Sequence, residues 1–520
     1  MSDRLTDALC NPALYPHPVT RIQLIETHIS RVILTGPRAY KIKKPVNFGF
    51  LDFTTLAARK HFCEQELLLN QRMAPELYLE VLPITGTPEA PVLGGSGEPI
   101  EYALCMREFP QDQLLDQVQR RGELTSVHID ALAGQIARFH NQTPAIPASH
   151  PFNTAQAIVA PMRQNFEQIR PLLDHPADLT RLDALEAWTE TSISRLQPLL
   201  EQRCQNGMIR ECHGDLHLGN ATLLEGRVVL FDCIEFNEPF RMIDIASDAA
   251  FLAMDLEDRG LRAQSSRFIN GWLEQTGDYA ALPLLNLYKA YRALVRAKVG
   301  LFRLHQETDP AQREAILVQY RSYASLAEGY SQIPARILAI THGVSASGKS
   351  AVALRVVESI GAIRVRSDVE RKRLPGQAET PASTALDSGW YRPEITRATY
   401  QRLHELAGQI LQAGFSVVLD ATYLYREQRQ AAQDVAETRG VPFLLLDCHA
   451  PLEQILQWLA ERQTAGQDPS EATAEVIQAQ LARQQPLEAD ERPHSLRVET
   501  WQEASYANLE QQLRRHFSGL

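Results

Sequence analysis

Two stretches of this 520-residue chain carry residues whose types and spacing suit the handling of phosphate. In the first, His213-Gly214-Asp215-Leu216-His217-Leu218-Gly219-Asn220, a carboxylate and a carboxamide stand five residues apart. A further carboxylate, Asp232, follows the apolar run Val228-Val229-Leu230-Phe231. A phosphoryl-transfer site must orient a hydroxyl, bind magnesium and neutralise triphosphate charge. Side-chain oxygens at these spacings can do the first two. The second stretch, Gly343-Val344-Ser345-Ala346-Ser347-Gly348-Lys349-Ser350, is a glycine-rich loop ending in Lys-Ser. Loop amides and the N-terminus of a following helix cradle phosphate oxygens. The two stretches are unrelated ways of holding a nucleotide triphosphate, and their tandem arrangement suggests two ATP-dependent enzymes fused.

The elements that must position the first set are short strands and one helix. Arg31–Thr35 meets a Gly36-Pro37 turn, and Ala39-Tyr40-Lys41-Ile42-Lys43 alternates with period two, so Ala39, Lys41 and Lys43 share a face. Ala39-x-Lys41 fits a strand that lays a lysine under the α/β-phosphates, and Glu66, on a helix predicted over 55–73, can pair with it. Spacing alone leaves Lys43 in place of Lys41, and Glu64 in place of Glu66, open. Tyr78 to Ile84 and Tyr102 to Phe109 are further strands, separated by a Gly/Pro-rich loop at 85–99. Residues 114–205 and 241–330 read as helical, and 209–234 as loop and hairpin. Asp215 and Asn220 match the kinase catalytic-loop pattern, in which the aspartate accepts the substrate proton and the asparagine holds metal. His217 is either metal-adjacent or structural. Asp244 and Asp248 share a face if helical, and read as scaffold that braces the catalytic loop.

After residue 337 strands and helices alternate, which implies a parallel sheet covered on both faces. GxxxxGK[ST] is specific when it joins a strand to a helix, and here Ile337–Thr341 precedes it and a helix over 349–360 follows. In that motif the lysine, Lys349, reaches the β/γ-phosphates and the hydroxyl of Ser350 coordinates magnesium, with the amides of Gly343, Ser345, Ala346, Ser347 and Gly348 around the phosphates. Asp368, in Arg366-Ser367-Asp368-Val369-Glu370-Arg371, follows the next strand at the carboxyl edge of the sheet, where ligands bind. It is placed to take a proton from a hydroxyl, with Arg371 on the same helix face; an N-cap is the alternative. Asp420 ends the strand Val417-Val418-Leu419 and is placed to order magnesium or its water, or simply to close a strand-end turn.

On these residues, positions of about 25–300 resemble the aminoglycoside phosphotransferase and choline-kinase-like group of the protein-kinase superfamily, whose catalytic-loop variant is His-Gly-Asp-x-His-x-x-Asn. The resemblance implies a bilobal kinase fold with ATP at a hinge near Met106–Phe109, Asp215 as base, and Asn220 and Asp232 as magnesium ligands. The chain departs from the pattern in lacking a glycine-rich loop after Thr27-His28-Ile29-Ser30, and in having Asp232-Cys233-Ile234-Glu235 for Asp-Phe-Gly. Residues of about 337–485 resemble the small P-loop kinases related to polynucleotide 5′-hydroxyl kinases, zeta-type toxins and gluconate-type sugar kinases. That resemblance implies a lid carrying arginines, which Arg462 fits, although Trp458 stands where a second arginine is expected.

The expected architecture is therefore two domains of α/β and α+β class. A bilobal kinase-like domain spans 1–334 (small lobe about 20–110, large lobe about 111–330), and a parallel-sheet P-loop NTPase domain with a lid spans 335–520. The length supports two or three domains, and 44% apolar with 22% charged residues is ordinary for globular protein. A net charge of −11 argues against a nucleic-acid surface. The seven cysteines form no CxxC or metal-ligand spacing and read as free thiols in a reducing compartment. The N-terminus lacks a secretory pattern, and no apolar run approaches a membrane span, so a soluble cytoplasmic protein without a membrane partner is expected. The expected activity is bifunctional ATP- and magnesium-dependent transfer of phosphate to hydroxyls of small-molecule acceptors. Two alternatives stay open: one domain senses nucleotide and gates the other, or the second half phosphorylates nucleic-acid 5′-hydroxyls.

Overall fold

The computed structural model describes residues 3–49, 51–305, 307–374, 392–465 and 473–517. They pack as two compact units, Met1–Asp255 with Tyr291–Tyr320, and Leu256–Ala290 with Arg321–Leu520.

In the first unit a six-stranded antiparallel sheet has the order Gln23–Glu26, Ser30–Leu34, Arg38–Lys43, Pro99–Arg107, Tyr78–Thr87, Ala90–Leu93. The segment expected as loop at 85–99 in fact carries the end of one strand and a short partner strand, paired Ile84↔Leu93 to Thr87↔Ala90. The period-two strand behaves as its pattern requires. Tyr40 and Ile42 enter an apolar cluster with Ile33, Ile84 and Ala103, while Ala39 and Lys41 lie on the opposite face, in register with Met106 and Leu104. The helix Leu56–Asn70 starts on Thr55, whose hydroxyl accepts from the Ala58 amide, and turns Glu66 and Asn70 inward. The rest of this unit is helical, as expected, with the hairpin Ala221–Leu224/Arg227–Leu230 delivering Asp232. Asp244 is not helical. It closes the strand Met242–Asp244, which pairs with Ile209–Glu211, and only Asp248 lies on the following helix, Ile245–Asp258. Register with the buried Ile209 wins over helical spacing here, and the Asp244 side chain caps the new helix at the Ala246 amide (2.9 Å) while pairing with Arg203 (2.6 Å).

In the second unit five parallel strands have the order Ile363–Arg366, Val417–Asp420, Leu338–His342, Phe443–His449, Ser495–Glu499. Near-continuous apolar strands such as Leu338–Ile340 and Val417–Leu419 are buried on both faces, the signature of a parallel sheet. Helix Lys349–Ile360 packs Val352, Val356 and Val357 onto Ala339, Val418 and Leu446. The strand Ile363–Arg366 lies at the sheet edge, and helix Arg262–Thr276 covers it. There the Asn270 carboxamide donates to Ala362 O (3.0 Å) and accepts from the Arg364 amide (2.6 Å), taking the place of a neighbouring strand. Among the described residues no helix is long and apolar enough to cross a membrane.

Candidate functional sites

In the first unit the strand lysines, the helix glutamate and the hairpin aspartate converge. Lys41 Nζ donates to Glu66 Oε1 (2.7 Å) and to Asp232 Oδ1 (2.8 Å). Lys43 Nζ donates to Glu66 Oε2 (2.7 Å) and to Glu235, and lies over the Phe53 ring. Glu66 therefore holds both lysines, whereas Glu64 is solvent-exposed beside Lys60. Lys41 faces the partly exposed Asp232, while Lys43 is fully buried, so the pair splits into a lysine at the site and a lysine behind it. Burial opposes the charge of Glu66, but the two ammoniums hold its carboxyl down to about 2. Burial likewise opposes the Lys41 charge, and Asp232 and Glu66 override it and raise its pKa well above the ordinary value. Glu235, facing the same low-dielectric pocket beside Glu66, is pushed up by burial.

The catalytic-loop residues also meet. Asn220 Nδ2 donates to Asp215 Oδ2 and to Asp215 O (both 3.0 Å), and His217 Nε2 lies 3.3 Å from Asp215 Oδ2. His217 Nδ1 accepts from the Gly219 amide, which fixes the ring as a turn cap as well as a partner of Asp215. Burial would raise the Asp215 carboxyl, but His217, with Arg296 and His213 nearby, keeps it well below the usual carboxylate range. It is thus ionised and able to accept a proton. Asp248 braces the loop from behind, accepting from the amides of His213 (3.1 Å) and Gly214 (2.9 Å) and meeting His140 Nε2 at 3.1 Å. Gly214 takes φ +88° with Phe240 O 2.7 Å from where a Cβ would stand, so only glycine fits the turn. Two residues escaped the sequence reading. Tyr78 OH accepts from the Asp232 amide (3.1 Å), and Asn70 Oδ1 accepts from the Cys233 amide (2.8 Å), so together they set the left-handed turn at Asp232 (φ +65°). No spacing signals them, because their partners lie some 150 residues away. Met106 is half-buried against Tyr78, Leu104, Phe109 and Phe231, on the strand opposite Ala39.

In the second unit the loop 343–350 joins strand Leu338–His342 to helix Lys349–Ile360. Gly343 (φ +138°) and Gly348 (φ +83°) have no room for a Cβ, which would stand 2.7 Å from Cys448 O and from Thr500 Cβ. Ala346 also takes a positive φ of 60°. Lys349 Nζ donates to Val344 O (2.6 Å), back across the loop. Thr500 Oγ1 donates to Ser347 O (2.8 Å), and Gln480 Oε1 accepts from the Ser345 amide (2.7 Å). The buried hydroxyl of Ser347 and Oδ2 of Asp420 have no hydrogen-bond partner. Asp420 lines a cleft of about 1250 Å³, together with Lys349, Ser350, Asp368, Arg371 and Tyr400. Arg371 Nη1 donates to Asp368 Oδ1 (2.8 Å) on helix Ser367–Arg373, so these two stand together as the spacing predicts. Trp458 and Arg483 line the same cleft. Arg462 falls in helix Leu452–Ala465, with its side chain outside the described residues. Thr500 and Gln480 are the residues that sequence reasoning missed here.

Residues 90–285 match the model of a phosphotransferase enzyme family, and residues 338–487 match that of an AAA domain. The chain thus joins a kinase-like phosphotransferase domain to a P-loop kinase domain, and both belong to kinase families. It belongs to the family of the uncharacterized protein Rv2004c of Mycobacterium tuberculosis, to which it is 32% identical over 488 residues, covering 93% of this chain and 94% of that one. The uncharacterized protein Mb2027c of Mycobacterium bovis matches to the same extent, at 32% over 488 residues. Among solved structures, a choline/ethanolamine kinase family protein from Mesorhizobium loti is 12% identical with a TM-score of 0.38, covering 62% of this chain and 99% of that chain. A gluconokinase from Sinorhizobium meliloti is 18% identical with a TM-score of 0.25, covering 36% of this chain and 98% of that chain.

Proposed function

We propose that the chain is a bifunctional phosphotransferase, with each domain moving the γ-phosphate of ATP to a hydroxyl of a small acceptor. Lys41 carries this reading: one ammonium meets Glu66 from the helix and Asp232 from the hairpin, beside an ionised Asp215 held by Asn220. The donor set suits magnesium and triphosphate. Asp232, with a side chain 42% exposed, and Asn220 offer hard oxygens, and Lys41 offers a phosphate counter-charge. The acceptor hydroxyl gives its proton to Asp215, its oxygen bonds to the γ-phosphorus, and the bond to the β–γ bridging oxygen breaks to release ADP. The hinge near Met106 seats ATP.

In the P-loop domain, unpartnered Ser347 Oγ and Asp420 Oδ2, together with glycines that leave no room for a Cβ, suit a nucleotide phosphate and its magnesium. Lys349 and Ser350 engage phosphate and metal, Asp368 takes the acceptor proton, and Arg371 and Arg462 steady the migrating phosphoryl group. A cleft of about 1250 Å³ holds a nucleotide and a metabolite-sized alcohol. The functional division lies near residues 334/335, and the protein acts in the cytoplasm. The test is ATP consumption by the intact chain across sugars, aminoglycosides, nucleosides and 5′-hydroxyl oligonucleotides, with Asp215→Ala and Lys349→Ala compared. Two activities, each lost in a different variant, are expected. A single activity that only one variant affects would reduce the chain to one enzyme.

A further inference from the structure

Helix Arg262–Thr276 lies within the stretch matched by the phosphotransferase family, yet it packs in the compact unit that holds the P-loop. Its contacts with the sheet edge are polar and directional. Beyond the Asn270 pairing, Glu274 accepts from Arg364 Nη2 at Oε2 (2.8 Å) and from Arg366 Nη1 at Oε1 (3.0 Å), and its carbonyl accepts from Arg373. Arg267 adds a pair with Glu358 of the helix that follows the P-loop (2.8 Å).

Arg366 links this helix to the nucleotide site. It lines the P-loop cleft, and its Nε stands 3.8 Å from Asp420 Oδ2, the buried carboxylate oxygen that has no hydrogen-bond partner. Glu274, Arg366 and Asp420 side chains are all less than one-fifth exposed. In such a place a guanidinium closes on an available carboxylate to form a charge-assisted hydrogen bond of about 2.7–2.9 Å. The spacing of 3.8 Å shows that it has not done so. Its counter-ion is instead Glu274, which two guanidiniums hold ionised against burial.

We propose that Glu274 is a positioning residue of the P-loop site: it draws Arg366 back so that the Asp420 carboxylate stays open to the magnesium ion of a bound nucleotide. The proposal rests on the reading of 343–350 as a nucleotide site. It makes a helix from the phosphotransferase-family stretch part of the P-loop kinase.

The test is calorimetry on the full chain with ADP, with and without magnesium, following the binding step that Lys349→Ala removes. In Glu274→Gln the shape stays and the charge goes, so Arg366 swings onto Asp420. The factor by which magnesium tightens ADP binding should fall about tenfold or more, as for other residues that orient metal ligands, while magnesium-free binding stays as in the wild type. The double variant Glu274→Gln/Arg366→Gln, which removes the competing cation, should recover the magnesium effect. An unchanged magnesium factor in Glu274→Gln, equal losses with and without magnesium, or no recovery in the double variant would each overturn the proposal. If Lys349→Ala removes no ADP step at all, the nucleotide reading itself falls.

Discussion

In the phosphotransferase site, five charged side chains from three stretches of sequence lean on one another: Lys41, Lys43, Glu66, Asp232 and Glu235. In the loop 343–350 the surface is backbone, shaped by Gly343 and Gly348, and its lysine rests on a carbonyl of its own loop. The first arrangement ties the binding groups to the folded state, because each buried charge needs its partner. The second shapes its glycine loop within a single turn, and the demands of that turn are conformational. The same ligand class can thus be met by a site that stakes fold stability on its charges or by one that does not.

The sharpest way to probe this contrast is to remove one group from each side. Asp215→Ala should slow N-terminal transfer by about 10²–10⁴-fold, the usual worth of a positioned base, with ATP binding retained; single-turnover assays against equilibrium binding check it. Unchanged turnover would remove Asp215 from the reaction.

Glu66→Gln comes next. It leaves two buried ammoniums short of a counter-ion and should destabilise the first unit by about 3–5 kcal/mol. Lys349→Ala should cost the second unit less, about 1 kcal/mol for the hydrogen bond to Val344 O, while abolishing its nucleotide step. Denaturant melts of both variants decide this, and equal losses would erase the contrast. Gly348→Ala should act locally. Forcing a side chain into φ +83° costs about 1–2 kcal/mol, and crowding of Thr500 should weaken ADP binding in that site alone.

The smallest effect is a pH dependence. Burial lowers His404, in the P-loop cleft, from its ordinary 6.5 to about 4. The unfolded chain then binds the proton more readily, so this contribution is complete above pH 6.5 and drains away as pH falls towards 4. The Glu66 contribution in the first unit is complete above its ordinary 4.5 and is lost only as pH falls towards 2. Mild acid should therefore weaken the second unit first, and His404→Gln should flatten that response. A unit whose melting ignores pH between 4 and 6.5 would rule the assignment out.

The parts of both sites that were legible in the sequence are contiguous. Asp215 to Asn220 and Gly343 to Ser350 are short local patterns whose function depends on spacing along one loop, so the spacing is visible before the fold. Lys41 and Glu66 were legible to within two residues, since period two and helical spacing define a face and not a partner. Burial separates Lys43 from Lys41, and exposure separates Glu64 from Glu66. Tyr78, Asn70, Thr500, Gln480 and Glu274 were silent, because each acts through long-range hydrogen bonds that no local pattern encodes. The fifth strand, Ser495–Glu499, went unseen because only Val498 is fully buried in it. Asp244 misled through its helix-like spacing to Asp248, which strand pairing to Ile209 overrode.

Asn270 has a consequence for how the chain can be divided. Its carboxamide occupies the backbone groups of Ala362 and Arg364 that a further strand would otherwise seek. A cut between the two family matches, anywhere from 286 to 337, would discard that carboxamide and leave the edge strand Ile363–Arg366 bare. Bare edges recruit other edges, so the liberated C-terminal piece would gain a tendency to stack on its own copies. The two halves are separable as sequence and inseparable as solubility.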